Sequence, residues 1–317
     1  MTQARETTLA AGSGQALEPS GAPLTVFWRR FRRHRLAFAS LILLGVLAAA
    51  SASAPLIEAA TELSATRVDL LDRNQGPSLA HLLGTDELGR DLMLRLLYGG
   101  QVSLGVGFAA ALIAAVIGTV IGLVAGYFGG RFDALLMRFT DGVIALPLLP
   151  LLIVLAAIDL SKLGLAAQSG DVASIYRIIG LIALVGWTQT ARLVRAATLS
   201  MKTRPFVTAA HALGAGNLRI MAVHLLPNVA SPIIVATTLS IGNIILLESV
   251  LSFLGLGIQP PMASWGNMLT NAQELIYSAP MLAVWPGLLI FVTVMAFNFV
   301  GDGFQDALDP RSGERGA

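Results

Sequence analysis

The segment RPFVTAAHALGAGNLRIMAVHLLPN, residues 204–228, is the longest polar-bearing interruption between strongly apolar stretches in the C-terminal half of the chain. Pro205 suits a first helical position, where its missing N–H is one of the unpaired ones anyway. Phe206, Ala210 and Leu213 then follow at i, i+4 and i+7, on one helical face. At roughly 1.5 Å per residue this helix is about 15 Å long, half the thickness of a bilayer core. It cannot span a membrane, so it lies at the surface or contacts a partner.

The same segment predicts a turn and a second helix. Gly214 and Gly216 are expected to stop the first helix, because glycine adopts a positive φ at little cost. Asn217 can cap a second helix over residues 218–226, and Pro227 is expected to end it. The prediction is therefore a short helix, a glycine turn and another helix.

The composition of the whole chain indicates a membrane protein. Apolar residues make up 55% of the 317 residues and charged residues only 13%, with a mean hydropathy of +0.72. Soluble domains carry about 25% charged residues. The net charge of +2 is too small to indicate a nucleic-acid surface. The lack of cysteine excludes disulfides, thiolate metal sites and cysteine catalysis.

Apolar runs predict an all-α, polytopic fold with about six membrane spans. Their predicted bounds are 36–57, 102–128, 134–158, 174–194, 229–254 and 281–301. The first is interpreted as an uncleaved span rather than a signal peptide, because a long region precedes it and the rest of the chain is also apolar. Pro147 and Pro150 should kink the third span. The fourth is interrupted early, since only 14 uncharged residues separate Arg177 from Arg192.

Glycines recur every four residues at the end of the second span. They are Gly118, Gly122, Gly126 and Gly130. Small residues at this spacing let helix backbones approach closely in lipid. Packing within one subunit is the preferred interpretation, with a dimer contact as the alternative.

Basic residues predict the orientation of the chain. With the N-terminus inside, 15 of the 21 lysines and arginines lie on the inner side and 6 on the outer side. This bias follows the positive-inside rule. Residues 204–228 therefore face the cytoplasm, and residues 58–100, 159–173 and 255–280 face outward.

Motifs of catalysis are missing from the sequence. It contains no G-x-x-x-x-G-K-[ST], no H-E-x-x-H and no G-x-S-x-G, and its four histidines are scattered, so neither an enzyme nor a metal site is predicted. Polar residues at membrane depth usually face a bundle interior or a wet cavity. Asn243, Glu248 and Asn298 are therefore candidates for lining a pathway, and Glu248 could equally be structural. Asp141 and Asp302 are interpreted as interfacial.

Four segments resemble a known family. TAAHALG (208–214), followed by Ile220 and HLLPN (224–228), resembles the cytoplasmic EAA loop of ABC importer permeases. HLLGTDELGRD (81–91), LSFLGLGIQPPMASWGNML (251–269) and NFVGDGFQDALDPR (298–311) resemble the C-type permease subunit of dipeptide, oligopeptide and nickel importers. Together with the basic segment before the first span, the likeness covers roughly residues 25 to 312.

The resemblance implies partners and a mechanism. Two permease subunits, forming a heterodimer here, would make the pathway, and one or two kinds of ATPase subunit would bind ATP and Mg²⁺ inside; this chain would bind no cofactor. A solute-binding protein would deliver substrate outside. The coupling helix and its flanks would contact the ATPase through Phe206, Thr208, Ala209, Ala210, His211, Leu213, Gly214, Leu226 and Pro227. The family loop often begins Glu-Ala-Ala, whereas this chain has Thr208, so an apolar contact by Phe206, Ala210 and Leu213 is expected instead of a salt bridge.

Two outward segments are candidates for contact with the binding protein. Their residues are Asp86, Glu87, Pro260, Pro261 and Trp265. The glycines and carboxylates of residues 81–91 could alternatively form a calcium loop, but the EF-hand spacing is missing. A structured periplasmic element is therefore preferred.

The resulting hypothesis is a type I ABC importer permease for di- or oligopeptides in the inner membrane. Its parts are a cytoplasmic tail (1–35), a first span (36–57), a periplasmic segment (58–100), a five-helix core (101–303) with the coupling loop 204–228, and a cytoplasmic tail (304–317). An ion-driven carrier or channel of six helices is the alternative, and it would need no ATPase.

Overall fold

A computed structural model describes residues 23–61, 63–158, 171–270 and 272–308, and within them the chain is all-α. The described residues form twelve α-helices. These are α1 (Pro23–Arg33), α2 (Arg35–Ala52), α3 (Ala54–Thr61), α4 (Leu92–Phe128), α5 (Gly130–Ala145), α6 (Leu148–Ala157), α7 (Asp171–Met201), α8 (Pro205–Ala212), α9 (Asn217–Arg219), α10 (Leu226–Phe253), α11 (Ala272–Leu275) and α12 (Met281–Leu308).

Among the described residues, five helical stretches are long and apolar enough to cross a membrane. They are α2, α4, α7, the run from α9 through α10, and α12. A sixth crossing would need α5 and α6 together, which meet at an angle of 84°. The break falls at Leu146 and Pro147, so the kink predicted from Pro147 is confirmed. Pro150 lies in the first turn of α6 and causes no second break, because the first helical N–H groups need no intrahelical acceptor. About six spans is therefore the right count.

Several predicted boundaries were wrong. The first span (36–57) is interrupted at Ser53, where α2 gives way to α3. Within the predicted N-terminal tail (1–35), α1 begins at Pro23, which leaves the prediction that this tail is cytoplasmic untested. The second span was placed at 102–128, but α4 begins ten residues earlier, where the Asp91 carboxylate accepts a hydrogen bond from the amide of Leu94 (2.8 Å). Charged residues before position 96 made the beginning of this helix look extramembrane in the sequence. In the structure these side chains are paired with other groups of the protein.

The most extensive helix pair is α4 with α7. A Cβ at Gly118 or Gly122 would lie 2.6 Å from a carbonyl oxygen of α7, that of Trp187 or Ala191 respectively. Gly126 faces Thr198 of α7 at a similar distance. The glycine stripe therefore packs within one subunit, as expected. Gly130 does not belong to it, because it has left α4 and has open space around it.

The core lies where α4, α6, α7 and α10 meet. Its largest buried side chains include Leu152, Ile178, Ile182 and Ile245, each at most 1% exposed. A separate aromatic cluster holds α1 onto α12, with the ring of Phe31 centred 5.2 Å from that of Phe304. The bundle has two distinct ends. Residues 202–219 lie at one, called the α8 end, and residues 63–91 and 254–270 at the other, called the Trp265 end.

Pro227 does not end a helix, which corrects a prediction. The chain runs from α9 through a π-helical turn (Ile220–Leu225) directly into α10, and Pro227 lies in the first turn of α10. In the π turn the amide of Leu226 reaches back five residues to the carbonyl of Met221. The wider turn accommodates a proline ring that would obstruct an ordinary α-helical turn.

Candidate functional site

The short helix predicted before Gly214 is present as α8. Pro205 occupies its first turn, and Gly214 follows it with a φ of +78°. The amide of Ala215 reaches back to the carbonyl of Ala210 (3.0 Å) and that of Gly214 to the carbonyl of His211 (2.9 Å). These two bonds close a Schellman turn, which needs a left-handed residue at Gly214. Gly216 has an ordinary φ of −68°, so only the first glycine makes the stop.

One face of α8 is packed into the protein. Val207 is 1% exposed and Ala210 is 7% exposed. They share a buried cluster with residues of α4, α7, the π turn and α10: Leu123, Val194, Ile220, Met221, Leu225 and Val229. The helix is therefore attached to the ends of three long elements rather than resting on a loop.

The opposite face of α8 is exposed. Phe206 is 41% exposed and Leu213, directly after the helix, is 88% exposed; Leu218 of the neighbouring α9 is 79% exposed. The other residues predicted to contact an ATPase are also exposed, namely Thr208, Ala209, His211, Gly214, Leu226 and Pro227. Ala210 is the exception. The predicted face of Phe206, Ala210 and Leu213 was wrong in this respect, because Ala210 turns inward with Val207.

Tyr127 joins both sides of the glycine turn to the end of α4. Its hydroxyl donates to Asn217 Oδ1 (2.8 Å) and lies 3.2 Å from His211 Nε2. The Lys202 ammonium donates to the carbonyl of Gly126, one residue earlier in α4 (2.9 Å). Asn217 was expected to cap a helix through its side chain. It is instead the first helical residue, and Tyr127 takes its side-chain oxygen.

Arginines in the fourth span pair with carboxylates of α5. Arg195 contacts Asp133 through two hydrogen bonds, that of Nη2 to Oδ2 being 2.6 Å long. Arg192 Nη2 lies 2.5 Å from Asp141 Oδ1. Arg177, near the other end of α7, donates to the carbonyl of Leu256 (3.1 Å). These partners explain how α7 extends over 31 residues although charges interrupt its apolar run.

A cleft of about 910 Å³ opens between α5, α6, α7 and α10. Most of its wall is apolar. Its polar lining residues are Thr188, Gln189, Arg192, Ser240 and Asn243. Asn243, which the sequence predicts to line a pathway, thus lines this cleft. Gln189 and Thr188 were missed, because an amide and a hydroxyl inside an apolar run carry no signal that distinguishes a cleft from a helix contact.

Glu248 and Asn298 do not line this cleft, and the burial of Glu248 favours the structural role that the sequence had left open. Glu248 is 0% exposed, and its two carboxylate oxygens accept hydrogen bonds from Ser103 and Ser252. Glu248 lies on the face of α10 that packs against α4, whereas Asn243 lies on the face of α10 that lines the cleft. Asn298 is half-buried on α12, away from the lining of the cleft.

The Trp265 end is compact. Asp86 is 7% exposed and accepts from Arg90 Nε (2.7 Å), with Arg95 Nε at 3.2 Å. Trp265 is 1% exposed, and its indole N–H donates to the carbonyl of Leu96 (2.9 Å). Both side chains are thus largely withdrawn from the surface at which contact with a partner was predicted, although Asp86 lines a cavity together with Glu87. The prediction assumed that a charged or aromatic residue in a loop is exposed. In the structure Asp86 is paired with two arginines, and Trp265 is paired with a backbone carbonyl.

Three of the predicted outer contact residues are accessible. Pro260 and Pro261 are exposed and Glu87 is half-buried. Glu87 and Pro260 line a cavity of about 300 Å³, together with Arg90 and Arg95.

The carboxylates of residues 81–91 are all engaged in structure. Asp91 caps α4 and also bonds His81 Nδ1 (3.0 Å), while Asp86 pairs with two arginines. Among the described residues, no group of three or more His, Asp or Glu side chains is placed to hold a metal ion. The segment is a structured element, and its carboxylates do not converge as a calcium loop requires.

An all-α bundle of about six candidate membrane spans, with a short exposed helix at one end and an open cleft between the helices, is the architecture of a polytopic membrane protein. The chain belongs to the family described as "Binding-protein-dependent transport system inner membrane component", which matches residues 118–314. Residues 23–77 also match the "N-terminal TM domain of oligopeptide transport permease C". The resemblance to C-type permeases of peptide importers is thereby confirmed.

Curated relatives cover nearly the whole chain. The "Glutathione transport system permease protein GsiD" of Shigella flexneri serotype 5b (strain 8401) is 42% identical over 289 residues, which is 91% of either protein. The proteins of the same name from Escherichia coli O6:K15:H31 (strain 536 / UPEC) and Shigella boydii serotype 4 (strain Sb227) are 41% identical over the same lengths. The chain is thus a multi-pass permease subunit of an ABC importer in the inner membrane.

Proposed function

We propose that this permease forms half of the pathway of an ATP-driven importer of small peptides. A second, different permease subunit would form the other half. ATPase subunits carrying ATP and Mg²⁺ would bind at the α8 end, and a solute-binding protein would deliver substrate at the Trp265 end. This arrangement requires both termini and α8 to be cytoplasmic, in agreement with the distribution of basic residues.

The way in which α8 is built supports ATPase docking. One face is buried against α4, α7 and α10, while Phe206, Leu213 and Leu218 remain exposed. Because the buried face fixes α8 to three long elements, a force on the exposed face would move those helices together. A helix that only lay on lipid would not need this attachment. This two-sided packing is the observation that carries the proposal.

Thr208 determines what kind of contact α8 makes. It is exposed in the first half of the helix, where the family loop often has a glutamate. A threonine cannot form an ion pair with a basic residue of the ATPase. The contact therefore rests on apolar fit, with Leu213 as its most exposed large side chain.

Small peptides are the substrate class that suits the cleft. Its wall is mainly apolar, with the amides of Gln189 and Asn243 available to pair with peptide N–H and C=O groups. The curated relatives are named for glutathione transport, and glutathione is a tripeptide. Glutathione is therefore the first substrate to test, followed by dipeptides and longer peptides.

Docking is tested by Leu213→Asp in the assembled transporter. A carboxylate placed in an apolar contact should lower retention of the ATPase during purification by roughly tenfold or more. Leu79→Asp is the matched control, since Leu79 is fully exposed in the segment at the Trp265 end. Equal retention of the ATPase by both variants would contradict the docking site. Uptake of labelled glutathione and of a dipeptide panel into proteoliposomes then tests the substrate.

A further inference from the structure

A buried carboxylate joins two helices near the Trp265 end. Glu248 of α10 accepts a hydrogen bond on each of its oxygens, from Ser252 of the same helix (2.7 Å) and from Ser103 of α4 (3.1 Å). All three side chains are 0% exposed. Glu248 is therefore the centre of a network closed to solvent and to the cleft.

Each of these serines also holds a backbone amide of the Trp265 segment, defined as residues 254–270. Ser252 Oγ accepts from the N–H of Ile258 (3.0 Å), and Ser103 Oγ accepts from the N–H of Trp265 (3.2 Å). A serine has one hydroxyl proton. When the hydroxyl donates its one hydrogen bond to Glu248, the lone pairs of Oγ are directed to other donors, so the carboxylate sets the orientation of both serines.

The stretch between the two amides is stiffened by further hydrogen bonds, and it contains an exposed tip. Asn267 bonds the amide of Ser264 (2.9 Å) and the carbonyls of Met262 (2.7 Å) and Ile258 (3.2 Å). Both anchoring residues are 1% exposed, whereas residues 259–261 are exposed.

The Trp265 segment also lies directly on α10. A Cβ at Gly257 would be 2.1 Å from Ser252 Oγ, and one at Gly266 would be 2.5 Å from the Cα of Ser249. Glycine is therefore needed for the backbone to reach the serines, which makes the network specific to this placement of the segment.

We propose that Glu248 is a positioning residue for transport. Through Ser103 and Ser252 it holds the Trp265 segment in one place on α4 and α10, and it thereby fixes the exposed tip at residues 259–261. Glu248 itself touches neither substrate nor pathway. The consequence for transport rests on the proposed function, in which a solute-binding protein delivers substrate at this end.

A spin label at residue 259 tests the positioning directly. The chain has no cysteine, so Gln259→Cys provides the single labelling site of this subunit, which is labelled before it is assembled with its partners. The label should be immobilised in the native background and clearly more mobile in Ser103→Ala and Ser252→Ala. Glu248→Gln keeps the volume of the side chain but has one acceptor oxygen, so it should be intermediate. A role in filling space alone predicts native mobility for Glu248→Gln, and that result would overturn the proposal.

A matched control removes a hydroxyl elsewhere in α10. Thr238 is 8% exposed and donates only within its own helix, to the carbonyl of Ile234 (2.9 Å), so Thr238→Val should leave the label immobile. Mobility that increases equally in Thr238→Val would count against a specific network.

Transport kinetics test the functional consequence in the same variants. A loosely held tip should raise the concentration of loaded solute-binding protein for half-maximal uptake, roughly fivefold for each lost bond, while the maximal rate changes little. An unchanged half-maximal concentration in a variant with a mobile label would overturn the role in transport. Failure of the native complex to transport peptides would contradict the proposed function instead, because the mobility measurement needs no substrate.

Discussion

The phenol of Tyr127, in the last turn of α4, donates a hydrogen bond to the side chain of Asn217, the first residue of α9. The same hydroxyl is next to His211 on the other side of the Gly214 turn. The ring of Tyr127 also stacks on the imidazole, with an interplanar angle of 8°. The two helices flanking the turn are thus tied to one point of α4, in addition to the apolar packing of α8.

Tyr127→Phe should weaken coupling while leaving the fold intact. The ring and its stacking remain, but two hydrogen bonds of the hydroxyl are lost, each worth about 1 kcal/mol. We expect more ATP to be hydrolysed for each peptide taken up, measured as the ratio of the two rates in proteoliposomes. Tyr277→Phe is the control, because Tyr277 is 98% exposed. An unchanged ratio in Tyr127→Phe would show that the tie does not transmit force.

Gly214 and Gly216 should respond differently to alanine. Gly214 has a φ of +78°, so a Cβ there costs about 1–2 kcal/mol whatever the space around it. Gly216 has a φ of −68°, and no atom lies within 4 Å of the point that an alanine methyl would occupy, so Gly216→Ala should be nearly neutral. We expect uncoupled ATP hydrolysis in Gly214→Ala only. Similar behaviour of the two variants would mean that the turn geometry is unimportant.

Features decided by neighbouring residues could be predicted from the sequence. Pro205 and Gly214 set the start and end of α8 by their own backbone preferences, and Pro147 breaks the third span for the same reason. The glycine stripe of α4 was also predictable, because a period of four places its members on one face. Composition and length then gave about six spans.

Features decided by distant partners could not be predicted. Ala210 turns inward because α4 and the π turn provide an apolar surface beside it, and that surface is distant in sequence. Trp265 is buried because the carbonyl of Leu96, 169 residues away, accepts its indole N–H. Pro227 continues a helix because the π turn before it changes the hydrogen-bond spacing. For Ala210 and Trp265 a local rule was overridden by a tertiary contact, and for Pro227 by an adjacent π turn, none of which the sequence pattern reveals.

Gly122→Ala should destabilise the protein through overpacking. Its Cβ would lie 2.6 Å from the carbonyl oxygen of Ala191, so α7 would have to move away from α4. We expect a loss of about 1–3 kcal/mol, seen as a lower melting temperature in detergent. Gly105→Ala lies on the same helix with nothing within 4 Å, and it should be neutral or stabilising. A melting temperature lowered equally by both would point to helix flexibility rather than packing.

The two ion pairs between α5 and α7 should differ in strength. The Asp133 side chain is 13% exposed and makes two bonds to Arg195, whereas Asp141 and Arg192 are each about half exposed, at 54% and 49%. An exposed pair is worth roughly 0–1 kcal/mol, because water screens it and two long side chains must be ordered.

Asp133→Asn should therefore lower stability by about 2 kcal/mol, since it leaves a partly buried guanidinium without its bidentate partner. Asp141→Asn should lower it by less than about 1 kcal/mol. Thermal unfolding of both variants, each combined with alanine at its arginine in a double-mutant cycle, separates the pair energy from the cost of an unpaired charge. A larger coupling energy for Asp141 with Arg192 would reverse the ranking.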